Sequence, residues 1–213
     1  MRHLLCCLLL LFVLVSCLEN PFKQKPKKPP VAGTPLSGNH YTSQKIGWTI
    51  KLPGKEWKLI PKSERSSSNE KAKKDLEKST GAEIDNSNVQ ELISFRKDDR
   101  NSFISVIEPF NKTTDGNYEQ VLYMQHELIK TAYAEKNIAA KYEIGASRIG
   151  GVMIDWFNVI IDIPGKERKV FTLRMFSCLV NKYFFSMVVS YDNEIDEETL
   201  TNVVYSSTFS IKN

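Results

Sequence analysis

Tyr142-Glu143-Ile144-Gly145-Ala146-Ser147-Arg148-Ile149, then Gly150-Gly151, then Val152-Met153-Ile154-Asp155-Trp156-Phe157-Asn158-Val159-Ile160-Ile161-Asp162-Ile163 is the stretch that decides the fold. Two long runs rich in β-branched and aromatic residues flank a glycine pair, and that dipeptide is a favourable hairpin turn. Residues 170–180 and 184–191 continue the pattern across turns at Pro164-Gly165-Lys166 and Asn181-Lys182. Connections this short cannot carry a parallel crossover, so the four strands must form an antiparallel meander.

Working outward, Asp196 opens a final helix carrying Leu200, Val203 and Val204, with Glu197 and Glu198 in the first turn, where the helix dipole favours acids. Upstream, Tyr118, Val121, Leu122, Gln125, Leu128, Ile129, Ala132 and Tyr133 recur at helical spacing. All but Gln125 are expected to face a core, with Asp115 or Thr114 capping the start. Residues 89–95 and 103–107 read as two strands joined by Asp98-Asp99-Arg100-Asn101. Ile46, Trp48, Ile50 and Leu52 alternate as in a half-buried strand. Pro53-Gly54 turns the chain, and Trp57 and Leu59 mark a short return strand. Between 61 and 88 the chain is polar, with Ser67 and Glu70 able to form a capping box before a short helix through Leu76. Segregated helices and antiparallel strands make the class α+β.

The N-terminus has a different composition. Arg2 precedes an apolar run over residues 4–15, too short to span a bilayer, and Leu14-Val15-Ser16-Cys17 ends it. This layout resembles the bacterial lipoprotein box, in which the thiol after a small residue is acylated and becomes the new N-terminus. The alternative is an ordinary signal peptide cleaved after position 17. Diacylation of Cys17 would supply the two chains, palmitate among them, that stable anchorage in a lipid bilayer needs. Leu18 in place of Asp favours the outer over the inner membrane, by resemblance to enterobacterial sorting.

Residues 17–40 then read as a lipidated cysteine and tether. Pro21, Pro26, Pro29, Pro30 and Pro35 alternate with Lys23, Lys25, Lys27 and Lys28, a composition with no apolar face to bury. Fully extended, this tether would hold the domain roughly 70 Å from the membrane at about 3.1 Å per residue. The expected organisation is a signal peptide over 1–16, the tether over 17–40 and one domain over 41–213.

Two short motifs bracket that domain. Tyr41, Gly47-Trp48-Thr49-Ile50-Lys51-Leu52-Pro53 and Trp57 resemble the opening of PsbP-like domains. Asp196-Glu197-Glu198-Thr199-Leu200 and Ser207-Thr208-Phe209 resemble their closing helix and terminal segment. The resemblance spans residues 41–211. It implies an antiparallel β-sheet flanked by helices on both faces, an α/β/α sandwich used mostly for docking to protein partners.

Chemistry is sparse by contrast. The formal net charge of +4 does not suggest a nucleic-acid binder. Of four cysteines, Cys6 and Cys7 would leave with the signal. An acylated Cys17 leaves Cys178 unpaired, as a small buried hydrophobe. Ser68 and Lys71 have the serine–lysine spacing of penicillin-recognising enzymes, but Lys78-Ser79-Thr80-Gly81 only approximates the companion motif. His126 has Leu122 and Lys130 four residues either side, so no helical metal pair exists. Asp98 and Asp99 fit a hairpin turn better than a calcium loop, and the span from Gly47 to Gly54-Lys55 has the wrong spacing for a phosphate loop.

Asp155 shares a strand face with Met153, Phe157, Val159 and Ile161, and Arg174 on the next strand is its expected partner in a rim ion pair. Trp48, Trp57, Trp156, Tyr183, Phe185 and Tyr191 are expected to be core rather than a binding platform. No catalytic, cofactor or metal site is expected. The sequence points to a non-catalytic envelope lipoprotein that docks to another envelope protein, on the periplasmic or surface side. A small-ligand or lipid carrier using the sheet face, and an envelope hydrolase, are the alternatives.

Overall fold

The structure, a computed structural model, describes residues 36–61, 64, 70, 73–74, 77, 87–162 and 170–210. The proposed signal peptide, Cys17, the Ser68–Lys71 pair, the Lys78–Gly81 motif and the Pro164–Lys166 turn lie outside the described residues. So do Ser67 and Leu76 of the polar segment, in which Glu64, Glu70, Lys73, Lys74 and Glu77 are helical.

Among the described residues, and besides the helical positions of the polar segment, fourteen elements follow one another. They are β1 (Leu36–Ser37), β2 (His40–Ser43), β3 (Trp48–Lys51), β4 (Lys58–Leu59), β5 (Gln90–Arg96) and β6 (Ser102–Pro109), then α1 (Lys112–Asp115) and α2 (Tyr118–Glu135). The meander β7 (Ala140–Ile149), β8 (Val152–Asp162), β9 (Val170–Val180) and β10 (Tyr183–Tyr191) precedes α3 (Glu194–Tyr205) and β11 (Thr208–Phe209). The large sheet has the order β4-β5-β6-β10-β9-β8-β7, antiparallel throughout. The expected meander is there, and Gly150 and Gly151 turn its first hairpin with φ of 54° and 87°.

Both faces of this sheet are covered, which is why its central strands read as apolar runs rather than alternations. On one face Ile104, Val106, Phe157, Val159, Leu173 and Met175 pack against Val121, Leu122, Ile129 and Tyr133 of α2. On the other, Phe103, Ile107, Phe176, Phe185, Met187 and Val189 pack against Leu200, Val203 and Val204 of α3. The expected α+β architecture with helices on both faces is the observed one.

The α3 side also carries a second sheet, of order β1-β2-β3-β11. This corrects two expectations. Lys58–Leu59 does not return along Trp48–Lys51 but pairs with β5. Both edges of β3 are already taken, by β2 and by β11. Strand pairing also starts at Leu36, inside the stretch read as tether, because Gly38-Asn39 supplies a two-residue turn with glycine first at φ 63°. Trp48 is fully buried, 4.8 Å from Phe185 and stacked on Phe103. Trp57 meets Phe95 edge-on at 5.9 Å. Each such pair contributes about 0.5–1.5 kcal/mol beyond its buried area.

Helix caps differ from the reading in detail. Asn117, not Asp115 or Thr114, caps α2 by accepting from the Glu119 amide, while Asn111 caps the one-turn α1. Asn193 caps α3, accepting from the Asp196 amide. Asp196 is itself buried and binds Lys97 Nζ at 2.8 Å, tying the first turn of α3 to the end of β5. Gln125 faces inward after all, at 1% exposed, one turn from Ile129.

Candidate functional site

Asp155 and Arg174 do not pair. Asp155 stands opposite Ser177 and Arg174 opposite Asn158, so the two side chains leave β8 and β9 on opposite faces of the sheet. Strand alternation forbids the ion pair, because an odd separation in register turns one partner over. Each residue instead organises a separate polar centre.

On the α2 face, Tyr118 opens the helix and lays its hydroxyl 2.7 Å from Asp155 Oδ2 and 2.9 Å from the Ser177 carbonyl. One proton is shared between two acceptors, and the bond to the carboxylate is the stronger kind. This fixes the N-terminal turn of α2 to β8 and β9. Farther along, the His126 ring stacks on Phe157 at 4.2 Å, and Tyr142 stacks on the same phenylalanine. Burial, helped by the nearby Lys130 ammonium, lowers the His126 pKa below the usual imidazole range, against the opposing pull of Asp155 and Glu127.

The start of α2 also forms one wall of an open groove of about 980 Å³. Phe110, Tyr118, Leu179 and Tyr183 line it, with Lys112 and Lys182 at its polar rim. Leu179 points to solvent although it belongs to the α2 face, because α2 begins too late to cover that end of β9. Lys182 takes φ 65° in the β9–β10 turn, and its carbonyl accepts from the Phe110 amide. The turn is thereby locked to the end of β6.

On the α3 face, Arg174 Nε donates to Asn158 Oδ1 at 2.7 Å, and Asn158 Nδ2 donates to Glu143 Oε2 at 3.0 Å. Arg174 Nη2 lies 3.8 Å from Glu197 Oε1, which also accepts from the Tyr191 hydroxyl at 3.0 Å. Burial raises the Tyr191 pKa, against the pull of the Arg174 cation. The guanidinium sits 5.9 Å above the Trp156 ring, and that indole covers Gly145 across the strand pair. Four strands and a helix therefore converge on one arginine. Glu143, Asn158 and Glu197 were missed in the sequence, where nothing but register could have brought them to Arg174.

The remaining sites fall as follows. Cys178 is buried, and burial pushes its thiol pKa up to about 12, so it packs as an apolar side chain. Asp98 accepts from the amides of Arg100 and Asn101, which makes the expected hairpin turn an Asx-type turn. Trp48, Trp57, Phe185 and Tyr191 are core, whereas Trp156 and Tyr183 are half-buried. Among the described residues no His, Cys, Asp and Glu gather in a group able to hold a metal. No described helix is long and apolar enough to cross a membrane.

No family model matches the sequence, and no relative was found among curated proteins. Solved structures do resemble it. The solution structure of cyanobacterial PsbP from Synechocystis aligns over 90% of this chain and 100% of its own, at 11% identity and a TM-score of 0.48. A crystal structure from Bacteroides thetaiotaomicron aligns over 83% and 50%, at 10% identity and a TM-score of 0.43. LpqN, involved in cell envelope biogenesis of Mycobacterium tuberculosis, aligns over 78% and 85%, at 12% identity and a TM-score of 0.38.

Proposed function

We propose that this chain is a bacterial envelope lipoprotein, anchored by acylated Cys17, whose PsbP-like domain is a non-catalytic docking module for another envelope protein. The observation that carries the reading is the Leu14-Val15-Ser16-Cys17 box at the end of a short apolar run. A Pro/Lys tether directly follows it, giving a soluble domain the standoff from a membrane that a docking role requires. Leu18 after the cysteine favours the outer over the inner membrane, by resemblance to enterobacterial sorting. The polar centres fit docking better than turnover: Arg174 is spent on Asn158, Glu197 and Trp156, and Asp155 on Tyr118. The groove beside Leu179, apolar within and lysine-rimmed, has the character of a protein contact.

Two measurements test this. Cells fed a clickable fatty acid should label the wild-type chain and not Cys17→Ala; label on the variant refutes anchorage through Cys17. Cross-linking in native membranes should recover a reproducible protein neighbour, and Leu179→Asp should release it. Turnover in a substrate screen without any neighbour would favour the hydrolase alternative, and a lipid retained through purification would favour the carrier.

A further inference from the structure

The two edges of the large sheet are built differently. One ends in the two-residue β4, beyond which Glu64 pairs with Arg96 of β5. The other ends in β7, ten residues long, with no proline and with unbroken register against β8. Natural sheets usually blunt such an edge with bulges, prolines, charged side chains or a covering element, since it offers a row of free backbone groups; of these devices β7 carries the charges of Lys141, Glu143 and Arg148. Among the described residues, no strand pairs with the outer side of β7.

The free groups can be assigned. Ile149 and Val152 close a two-residue hairpin, and such a closing pair exchanges both backbone bonds. Counting back, the odd-numbered residues of β7 bond to β8, and the N–H and C=O of Ala140, Tyr142, Ile144, Ala146 and Arg148 point outward. Their side chains share one face of the sheet. Ile144, at the middle of the strand, is 70% exposed, far more than a branched aliphatic in a ten-residue strand needs to be.

We infer that β7 is the seam of a two-fold homodimer, pairing antiparallel with β7 of a second copy about Ile144. This register sets Ile144 on itself, uses residues 140–148 of both copies and matches every outward N–H with an outward C=O. It places the large Tyr142 opposite the small Ala146 of the other copy, Lys141 opposite Ser147, and Glu143 opposite Gly145. No like charges stand face to face. Self-complementarity is what commits the edge to a second copy, since an isologous interface requires the same patch to satisfy itself about one axis. Anchorage of two copies in one membrane, if the lipoprotein reading holds, would raise their effective concentration, but the pairing does not depend on it.

The purified full-length chain tests this apart from lipidation. An antiparallel hydrogen-bonded pair separates Cα atoms by about 5.5 Å, within disulfide reach. Ile144→Cys should therefore oxidise to a dimer linked 144 to 144, identified by mass spectrometry, while Arg148→Cys, far from the axis, should not. Ala146→Pro deletes an outward N–H and none of the β7–β8 bonds. It should weaken dimerisation at least about thirtyfold in sedimentation equilibrium, equivalent to two symmetry-related hydrogen bonds. Circular dichroism and melting temperature should stay unchanged. The inference is overturned if Ile144→Cys stays unlinked, if the two cysteine variants link equally, or if folded Ala146→Pro dimerises as the parent does.

Discussion

Substituting Gly145 by alanine should destabilise the domain in one background and stabilise it in another. A Cβ at this position would collide with Cζ2 of Trp156 and lie 2.6 Å from Cε2, while the backbone of Gly145 has no positive φ to forbid a side chain. The obstacle is one indole ring. Forcing it aside costs about 1–3 kcal/mol as overpacking, plus about 0.5–1 kcal/mol for the cation–π contact with Arg174 that is lost. Reduced freedom of the unfolded chain returns about 0.4–1 kcal/mol. Gly145→Ala alone should therefore lose about 2 kcal/mol, seen as a drop of about 1 M in urea midpoint at a slope of about 2 kcal/mol/M. In a Trp156→Ala background the collision vanishes, and the same change should gain about 0.5 kcal/mol. A double-mutant cycle followed by far-ultraviolet circular dichroism would give a coupling of about 2.5 kcal/mol. The same sign in both backgrounds would refute the role assigned to Trp156.

Gly47→Ala should cost more, about 3 kcal/mol or above, with no single-residue rescue, because φ is 64° and the Cβ would collide with the Ser210 carbonyl oxygen, which is backbone; urea denaturation measures it. Tyr118→Phe should cost about 1.5 kcal/mol by removing a hydrogen bond to the half-exposed Asp155 carboxylate. Its signature is faster hydrogen exchange in the first turns of α2, and a loss confined to β1 and β2 would contradict it. For His126, the folded pKa lies below the unfolded value of about 6.5. The unfolded chain then binds more protons between the two values, so stability should fall as pH drops below about 6.5 and level off below the folded pKa. His126→Phe, which keeps the stack on Phe157, should flatten this slope in melting curves taken across that range.

The meander was legible because three kinds of signal agreed along it: strand-length apolar runs, Gly150-Gly151, and turns too short for a crossover. The same agreement holds for α2 and α3, whose apolar residues recur at helical spacing. Local signals failed where the partner lies far along the chain. Pro53-Gly54 looked like the tip of a hairpin, yet β3 is flanked by β2 and by β11, the latter some 160 positions away, so Lys58–Leu59 had to pair elsewhere. The polar centres were harder still. Asp155 and Arg174 both stand on largely apolar strands, but relating them requires the register, and the register puts them back to back. Gln125 shows the limit of periodicity, since its spacing marked the buried face while its chemistry argued against it.

The pairing of β3 with β11 also sets a clock. Residues Trp48 and Thr49 meet Phe209 and Thr208, so the small sheet cannot close until the chain has been made through Phe209. At about 5–20 residues per second, synthesis of the intervening stretch takes on the order of 10–30 s. Throughout that interval Trp48 and Ile50 lack one of their neighbouring strands, and contacts of such sequence separation are slow to form even afterwards. A domain whose small sheet closes only with this strand stays incompletely folded while the segment between is being made. The late strand thus leaves the more aromatic of the two cores open to aggregation for that period.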